Sequence, residues 1–240
     1  MKKRMNMSYD MVSTEYDKLY AKYVDKGAGF MFDLALADMK IDVKNYLDLC
    51  SGSNAICLVE ALNRREDSNN QCFVENTVVD LNECVADHIP YDESDGVIRI
   101  IEDVGHFVKG EYHRSSMPNY KHFQLITCRQ GINYWFHENA MVHVSSLLDA
   151  GGVFIFNTFW NIPSSVPIVK EYTLHGMEYV EVSVLHDTLV YHSQYATGMQ
   201  PHHTKFLWVP PEQFIKACER SFSHVSAHFD GNSMYMRCQA

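Results

Sequence analysis

The chain has no apolar run long enough to cross a bilayer. Its most apolar stretch, residues 153–160, falls far short of the ~20 residues a membrane helix needs. It has no cysteine pair spaced as C-x-x-C. The seven cysteines (Cys50, Cys57, Cys72, Cys84, Cys128, Cys218 and Cys238) are odd in number, which suits neither a disulfide framework nor a zinc ribbon. No metal site is expected. Basic residues are scarce, 20 against 30 acidic ones, for a formal charge of -10. That balance argues against a surface built to bind nucleic acid or anionic lipid, which needs concentrated positive charge. Residues 1–7 are basic, but Ser8-Tyr9-Asp10 follow where a signal peptide would turn apolar, so no such leader is expected. Unpaired cysteines and 12 methionines point to a reducing, cytoplasmic setting.

What is present is an ordinary globular composition. Hydrophobic residues make up 46% and charged residues 21% of 240 residues, enough for one α/β core with an appendage. Residues 8–40 read as helical, with Tyr9, Val12, Tyr16, Leu19, Tyr20 and Tyr23 at spacings of three and four. Strands are expected at 45–50, 72–81, 97–104, 123–128 and 153–158, with helices over 55–65 and 139–148. This alternation argues for βαβ units and a parallel sheet. Residues 109–120 read as a loop or a remnant of helix. Beyond residue 165 strands recur at 177–184, 188–193 and 204–209 without helices between them. Pro210-Pro211-Glu212 opens a helix. Two strands around Asp230-Gly231-Asn232 then close the chain as a hairpin.

Five segments carry chemistry, in order. The first is Tyr46-Leu47-Asp48-Leu49-Cys50-Ser51-Gly52-Ser53-Asn54, a strand running into small residues and then a helix, which lets a ligand approach backbone N–H groups. The others are Asp80-Leu81-Asn82, Glu102-Asp103-Val104, the aromatic-rich run from Phe123 to Phe136, and Leu147 to Phe156 with Gly151-Gly152. Together they resemble the ordered motifs of class I S-adenosylmethionine (SAM) dependent methyltransferases of small-molecule type. Asp48, Leu49 and Gly52 match that family's first loop. Cys50 and Asn54 stand where it usually has glycine, and Gln124 where the fourth motif usually has an acid. The resemblance implies an α/β fold: a Rossmann-like seven-stranded, mostly parallel sheet with an antiparallel last strand. It further implies an N-terminal helical cap over 1–40, a SAM-binding core over 41–164, a strand-rich insertion covering the substrate over 165–209, and a closing helix and β-hairpin over 210–240.

The implied cofactor is SAM, with S-adenosylhomocysteine (SAH) as product. The resemblance implies that Tyr16 and Tyr20 reach SAM from the leading helix and that Asp48, Cys50, Gly52 and Ser53 line it in the first loop. Asp80 would hold the ribose hydroxyls, with Leu81 beside the adenosine. Asp103, or Glu102 in its place, would take the adenine amino group while the Val104 N–H binds the ring. Thr127, Cys128 and Arg129 would line the methionine end. No N/D-P-P-Y/F motif follows the fourth strand, so the expected acceptor is an oxygen or nitrogen of a small metabolite rather than nucleic acid.

Positioning supplies roughly 7–11 kcal/mol in such a displacement, and a base helps where a proton must leave. The base candidates are His137, His202, His203 and, less favoured, His106, with Tyr134 as a further catalytic candidate. His202 and His203 are neighbours on a strand, so only one of them can enter the cleft. Two other readings stand: a non-catalytic SAM-binding partner or regulatory module, motivated by Cys50, Asn54 and Gln124, or a SAM-fold enzyme with different chemistry. A homodimer is compatible with all three.

Overall fold

The computed structural model describes residues 29–51, 75–80, 97–137, 139–159, 164–174, 176–198, 201–231 and 233–240, and of Leu174 and His202 the backbone only. The strands are β1 (Asn45–Leu49), β2 (Glu75–Asp80), β3 (Val97–Ile101), β4 (Phe123–Cys128), β5 (Leu148–Phe159), β6 (Ile168–Leu174), β7 (Met177–His186), β8 (Leu189–Ala196), β9 (His202–Leu207), β10 (His224–Asp230) and β11 (Ser233–Gln239). The helices are α1 (29–36), α2 (Val104–Ser115), α3 (Ile132–Trp135), α4 (Ala140–Leu147) and α5 (Pro211–Glu219).

Seven strands form one sheet in the order β10-β11-β5-β4-β1-β2-β3. The pairs among β1 to β5 are parallel, and β11 is antiparallel to both β5 and β10. The chain runs outward from β1 through β2 and β3, then returns to the other side of β1 for β4 and β5. Strand order therefore reverses between β1 and β4, where ligands gather outside the carboxyl ends of the strands.

Central strands of a parallel sheet are covered on both faces and are apolar throughout. Leu47, Leu49, Ile126 and Cys128 pack on one face against α2, α4 and α5. Tyr46, Leu125, Val153 and Ile155 pack on the other against Met31, Phe32 and Ala35 of α1. The α1 helix stops where Asp38 turns left-handed (φ 59°), and Arg237 of β11 donates to the carbonyls of Leu34 and Ala37 at 2.9 Å each. A guanidinium on terminal carbonyls satisfies groups the helix leaves open.

The antiparallel sheet β6-β7-β8-β9 is separate and falls in the strand-rich stretch. It joins the core at β9: Asn133 Nδ2 donates to the Leu207 carbonyl at 3.0 Å, and the Tyr134 and Phe206 rings meet edge-on at 5.9 Å.

Three local expectations change. Residues 109–120, read as a loop, lie mostly in α2. Gly105 and Gly110 and a polar sequence dilute the helical signal, and only Val104, Phe107 and Val108 are buried. The third strand ends at Ile101 because Asp103 starts α2, its Oδ1 accepting the His106 N–H at 3.0 Å. The strand β6 went unread because it is an edge strand with Ile168 and Val169 exposed, which hides any one-sided alternation.

Gln124 settles a further point. Its Oε1 accepts the N–H groups of Lys44 and Asn45 at 2.9 and 2.7 Å, and its amide donates to Asp149. It clips together the leading ends of β1, β4 and β5, at the edge of the sheet away from the switch point. The acid absent at this position therefore bears on strand alignment.

Candidate active site

The carboxyl ends of β1, β2 and β4 bring three charged residues together. Asp48 is fully buried, directly opposite Thr127 in the β1–β4 register. Thr127 Oγ1 donates to Asp48 Oδ1 at 2.6 Å, and the Tyr46 hydroxyl lies 2.7 Å from Thr127 Oγ1. Burial pushes the Asp48 carboxyl up to about 7, against the Thr127 hydrogen bond and the Arg129 charge, which favour ionisation; Asp80 adds to the rise. Asp48 Oδ2 is buried without a hydrogen-bond partner among the described residues, an acceptor that a cationic group would satisfy.

Cys50 follows β1 in a left-handed conformation (φ 56°). Its hydrogen bond with the Cys128 thiol, and then burial, hold the Cys50 thiol well above its ordinary range. Beyond β4, Gln130 is also left-handed (φ 53°), and its N–H is held by Asn157 Oδ1 at 2.8 Å. Asn133 Oδ1 accepts from Thr158 at 2.7 Å. Thus α3 is pinned to the end of β5 as well as to β9.

A cleft of about 250 Å³ opens beside these loops, lined by Asp103, His106, Lys109, Tyr134, Trp135 and His137. Asp103 spends one carboxylate oxygen on its helix cap, which leaves Oδ2. Trp135 Nε1 is buried without a partner among the described residues. The His137 ring meets His143 edge-on at 5.5 Å.

The structure thus brings Asp48, Asp80, Cys50, Cys128 and Arg129 to one end of the sheet, and Asp103, Tyr134 and His137 to the adjoining cleft; Val104, next to Asp103, packs into the core. It does not bring His203 there. In β9, His203 lies on the face opposite Phe206, the residue that meets Tyr134, and its Nδ1 is 2.8 Å from Ser193 Oγ. His202 is paired with Gln194 through the backbone, and its side chain lies outside the described residues. Tyr16, Tyr20, Gly52, Ser53, Asn54 and Leu81 also lie outside them.

One polar cluster escaped the sequence reading. On the Phe206 face of the second sheet, the Tyr172 hydroxyl donates to Glu181 Oε1 at 2.7 Å. Gln194 Nε2 donates to both, at 3.1 and 3.2 Å. Three residues from three strands share a face only once pairing and register are known, so no sequence signal marks them.

SAM carries an ammonium, a carboxylate, a sulfonium, a ribose diol and an adenine amino group. The orphaned Asp48 oxygen, the Asp80 carboxylate and the Arg129 guanidinium fit that set of charges and donors. The strand order, the antiparallel β11 and the reversal beside Asp48 define the class I SAM-dependent methyltransferase fold. No family model matches the sequence, and no curated protein sequence matches it. Among solved structures, the chain is similar to DesVI of Streptomyces venezuelae, at 13% identity and a TM-score of 0.66 over 96% of this chain and 98% of that one. It is similar to an S-adenosylmethionine-dependent methyltransferase of Clostridium acetobutylicum, at 19% identity and a TM-score of 0.66 over 96% and 98%. It is also similar to SAM-bound CalS10, an amino pentose methyltransferase of Micromonospora echinaspora, at 14% identity and a TM-score of 0.63 over 92% and 95%. At such identities the likeness establishes the fold.

Proposed function

We propose that this protein transfers a methyl group from SAM to an oxygen or nitrogen of a small-molecule metabolite. The observation that carries this reading is the convergence of Asp48, Asp80 and Arg129 at the switch point of the sheet. When bound, SAM supplies a methyl group already activated by its sulfonium. Asp80 holds the ribose hydroxyls, Asp48 balances the ammonium, and Arg129 pairs with the carboxylate. The Val104 N–H and Asp103 Oδ2 receive the adenine. Tyr16, Tyr20, Gly52, Ser53, Leu81 and Cys128 complete the cofactor site in this proposal.

The acceptor enters the cleft between α2 and α3. There Tyr134 orients it and His137 takes its proton, an imidazole being a ready base near neutral pH. The second sheet, over 165–209, acts as the cover, its Phe206 face toward Tyr134; His202 is the base candidate of that sheet. Replacing Asp80 with Ala should weaken SAH binding at least ~10-fold by calorimetry with the melting temperature unchanged, since charge-assisted hydrogen bonds are the strong ones. Unchanged affinity would remove Asp80 from the site. Incubation with SAM and a panel of small hydroxylated and amine metabolites should give a product heavier by one CH₂.

We also propose that two copies pair through the outer face of the second sheet. That face carries Val169, Val180, Val182, Val184, Tyr191 and Tyr195, of which Val169 is 55% exposed and Tyr191 44%, alongside Glu171, Ser193, His203 and Lys205; neighbouring exposed apolar side chains favour a contact surface. Sedimentation should give a dimer for the native chain and a monomer for Val182→Glu; a monomeric native chain at high concentration refutes the pairing. The free thiols of Cys50, Cys128, Cys218 and Cys238 support a reducing, cytoplasmic compartment. Among the described residues no helix is long and apolar enough to cross a membrane.

A further inference from the structure

The loop after β1 and the loop after β4 meet at one tight point. Cys50 has φ 56°, a conformation that suits glycine and strains a side chain. Gly131 has φ -106° and ψ -17°, which any residue adopts. Space, not conformation, demands the glycine at 131. A Cβ there would lie 2.3 Å from Cys50 Cβ, 2.5 Å from Cys50 Sγ and 3.3 Å from Cys128 Sγ. The loop after β4 has little freedom to back away, because Gln130 is held by Asn157 and Asn133 by Thr158 and Leu207. Cys50 cannot easily swing aside either, since Ser51, the next residue, donates its N–H to the Val79 carbonyl at 3.3 Å and is buried.

We infer that Cys50 and Gly131 are an interlocked pair of positioning residues. The side chain on one loop fills the space left by its absence on the other, and so sets the gap across the switch point in which the methionine end of SAM is seated. The part concerning SAM rests on the proposed function; the interlock itself does not.

The test compares Gly131→Ala, Cys50→Gly and Cys50→Ala with the two double variants, by thermal melting and by SAH titration well below the melting temperatures. Gly131→Ala should lower the melting temperature by about 5 °C or more. It should weaken SAH binding about tenfold, because displacements of ~1 Å are costly at such sites. Cys50→Gly with Gly131→Ala should return both readouts close to those of the native chain, since only the 3.3 Å contact with Cys128 then remains. Cys50→Ala with Gly131→Ala should not, because the Cβ at 2.3 Å persists.

If Gly131→Ala does not fold, soluble yield of the two double variants carries the same contrast. The inference is overturned if Gly131→Ala melts and binds like the native chain, if Cys50→Gly fails to rescue it, or if Cys50→Ala rescues it as well. A native chain that binds no SAH while the melting contrast holds would overturn the SAM reading and leave the interlock standing. A melting contrast with uniform SAH affinity would remove the pair's positioning role.

Discussion

Asp48→Asn is expected to raise the melting temperature at pH 8 while weakening SAH binding and abolishing its pH dependence. Burial lifts the Asp48 carboxyl to about 7 in the folded chain, against an ordinary value of 3.8. A carboxyl raised on folding binds its proton more tightly in the folded state than in the unfolded one. Its contribution to stability is therefore greatest in acid and is lost as pH rises from about 4 to about 7. Above that window the folded chain carries a buried carboxylate at its full cost, which a neutral amide removes. The expected gain at pH 8 is about 4 kcal/mol, or roughly 8–16 °C for a chain of this size.

Binding reverses the preference. The ammonium of SAH favours ionised Asp48, so native affinity should fall about tenfold from pH 8 to pH 6. The asparagine variant should bind weakly at both. Titration calorimetry at the two pH values reads this directly. A variant that keeps native affinity and the same pH slope would show that Asp48 does not face the cofactor.

Gly152→Ala should destabilise the chain by about 2–3 kcal/mol and lower its melting temperature by roughly 4–12 °C. A Cβ at this buried position would stand 3.0 Å from the carbonyl oxygens of Asp149 and Phe123 and 3.2 Å from that of Gln124. All three are backbone atoms where β4 and β5 shift register, and the Gly152 carbonyl is itself tied to the Ala240 N–H at 3.0 Å. Nothing there is the flexible end of a side chain. Gly110→Ala is the matched control: its Cβ would meet nothing within 4 Å, and removing a glycine from the interior of α2 should stabilise by ~0.5–1 kcal/mol. Equal melting temperatures for the two variants would refute the packing argument.

Much of the α/β core was legible in the residues. Strands β1 and β4 are largely apolar, interrupted by Asp48 in one and by Gln124 and Thr127 in the other, because both faces of a parallel sheet are covered. The helix at Pro211 and the hairpin around Gly231 carry their own punctuation. Asp48, Asp80 and Arg129 are nominated by the resemblance of their segments to the methyltransferase motifs, and the strand pairing then gathers them at the carboxyl side of the sheet. The α2 helix was not legible, since its polar face and two glycines mask the period of its three buried residues. The edge strand β6 was not legible for the related reason that exposure on both sides removes the alternation.

Local order in this chain is thus written in short-range patterns: which residues are apolar, at what period, and where glycine and proline interrupt them. Contacts between segments far apart in the chain are not. That Gln124 aligns the leading ends of three strands, that His203 turns away from the cleft, that Tyr172, Glu181 and Gln194 share one face, and that Cys50 fits against Gly131 all depend on pairing and register. A register shift of one residue would reverse each face without altering the composition of any strand. Only the folded chain selects among those registers, because the selection is made by packing and backbone hydrogen bonds summed over the whole sheet.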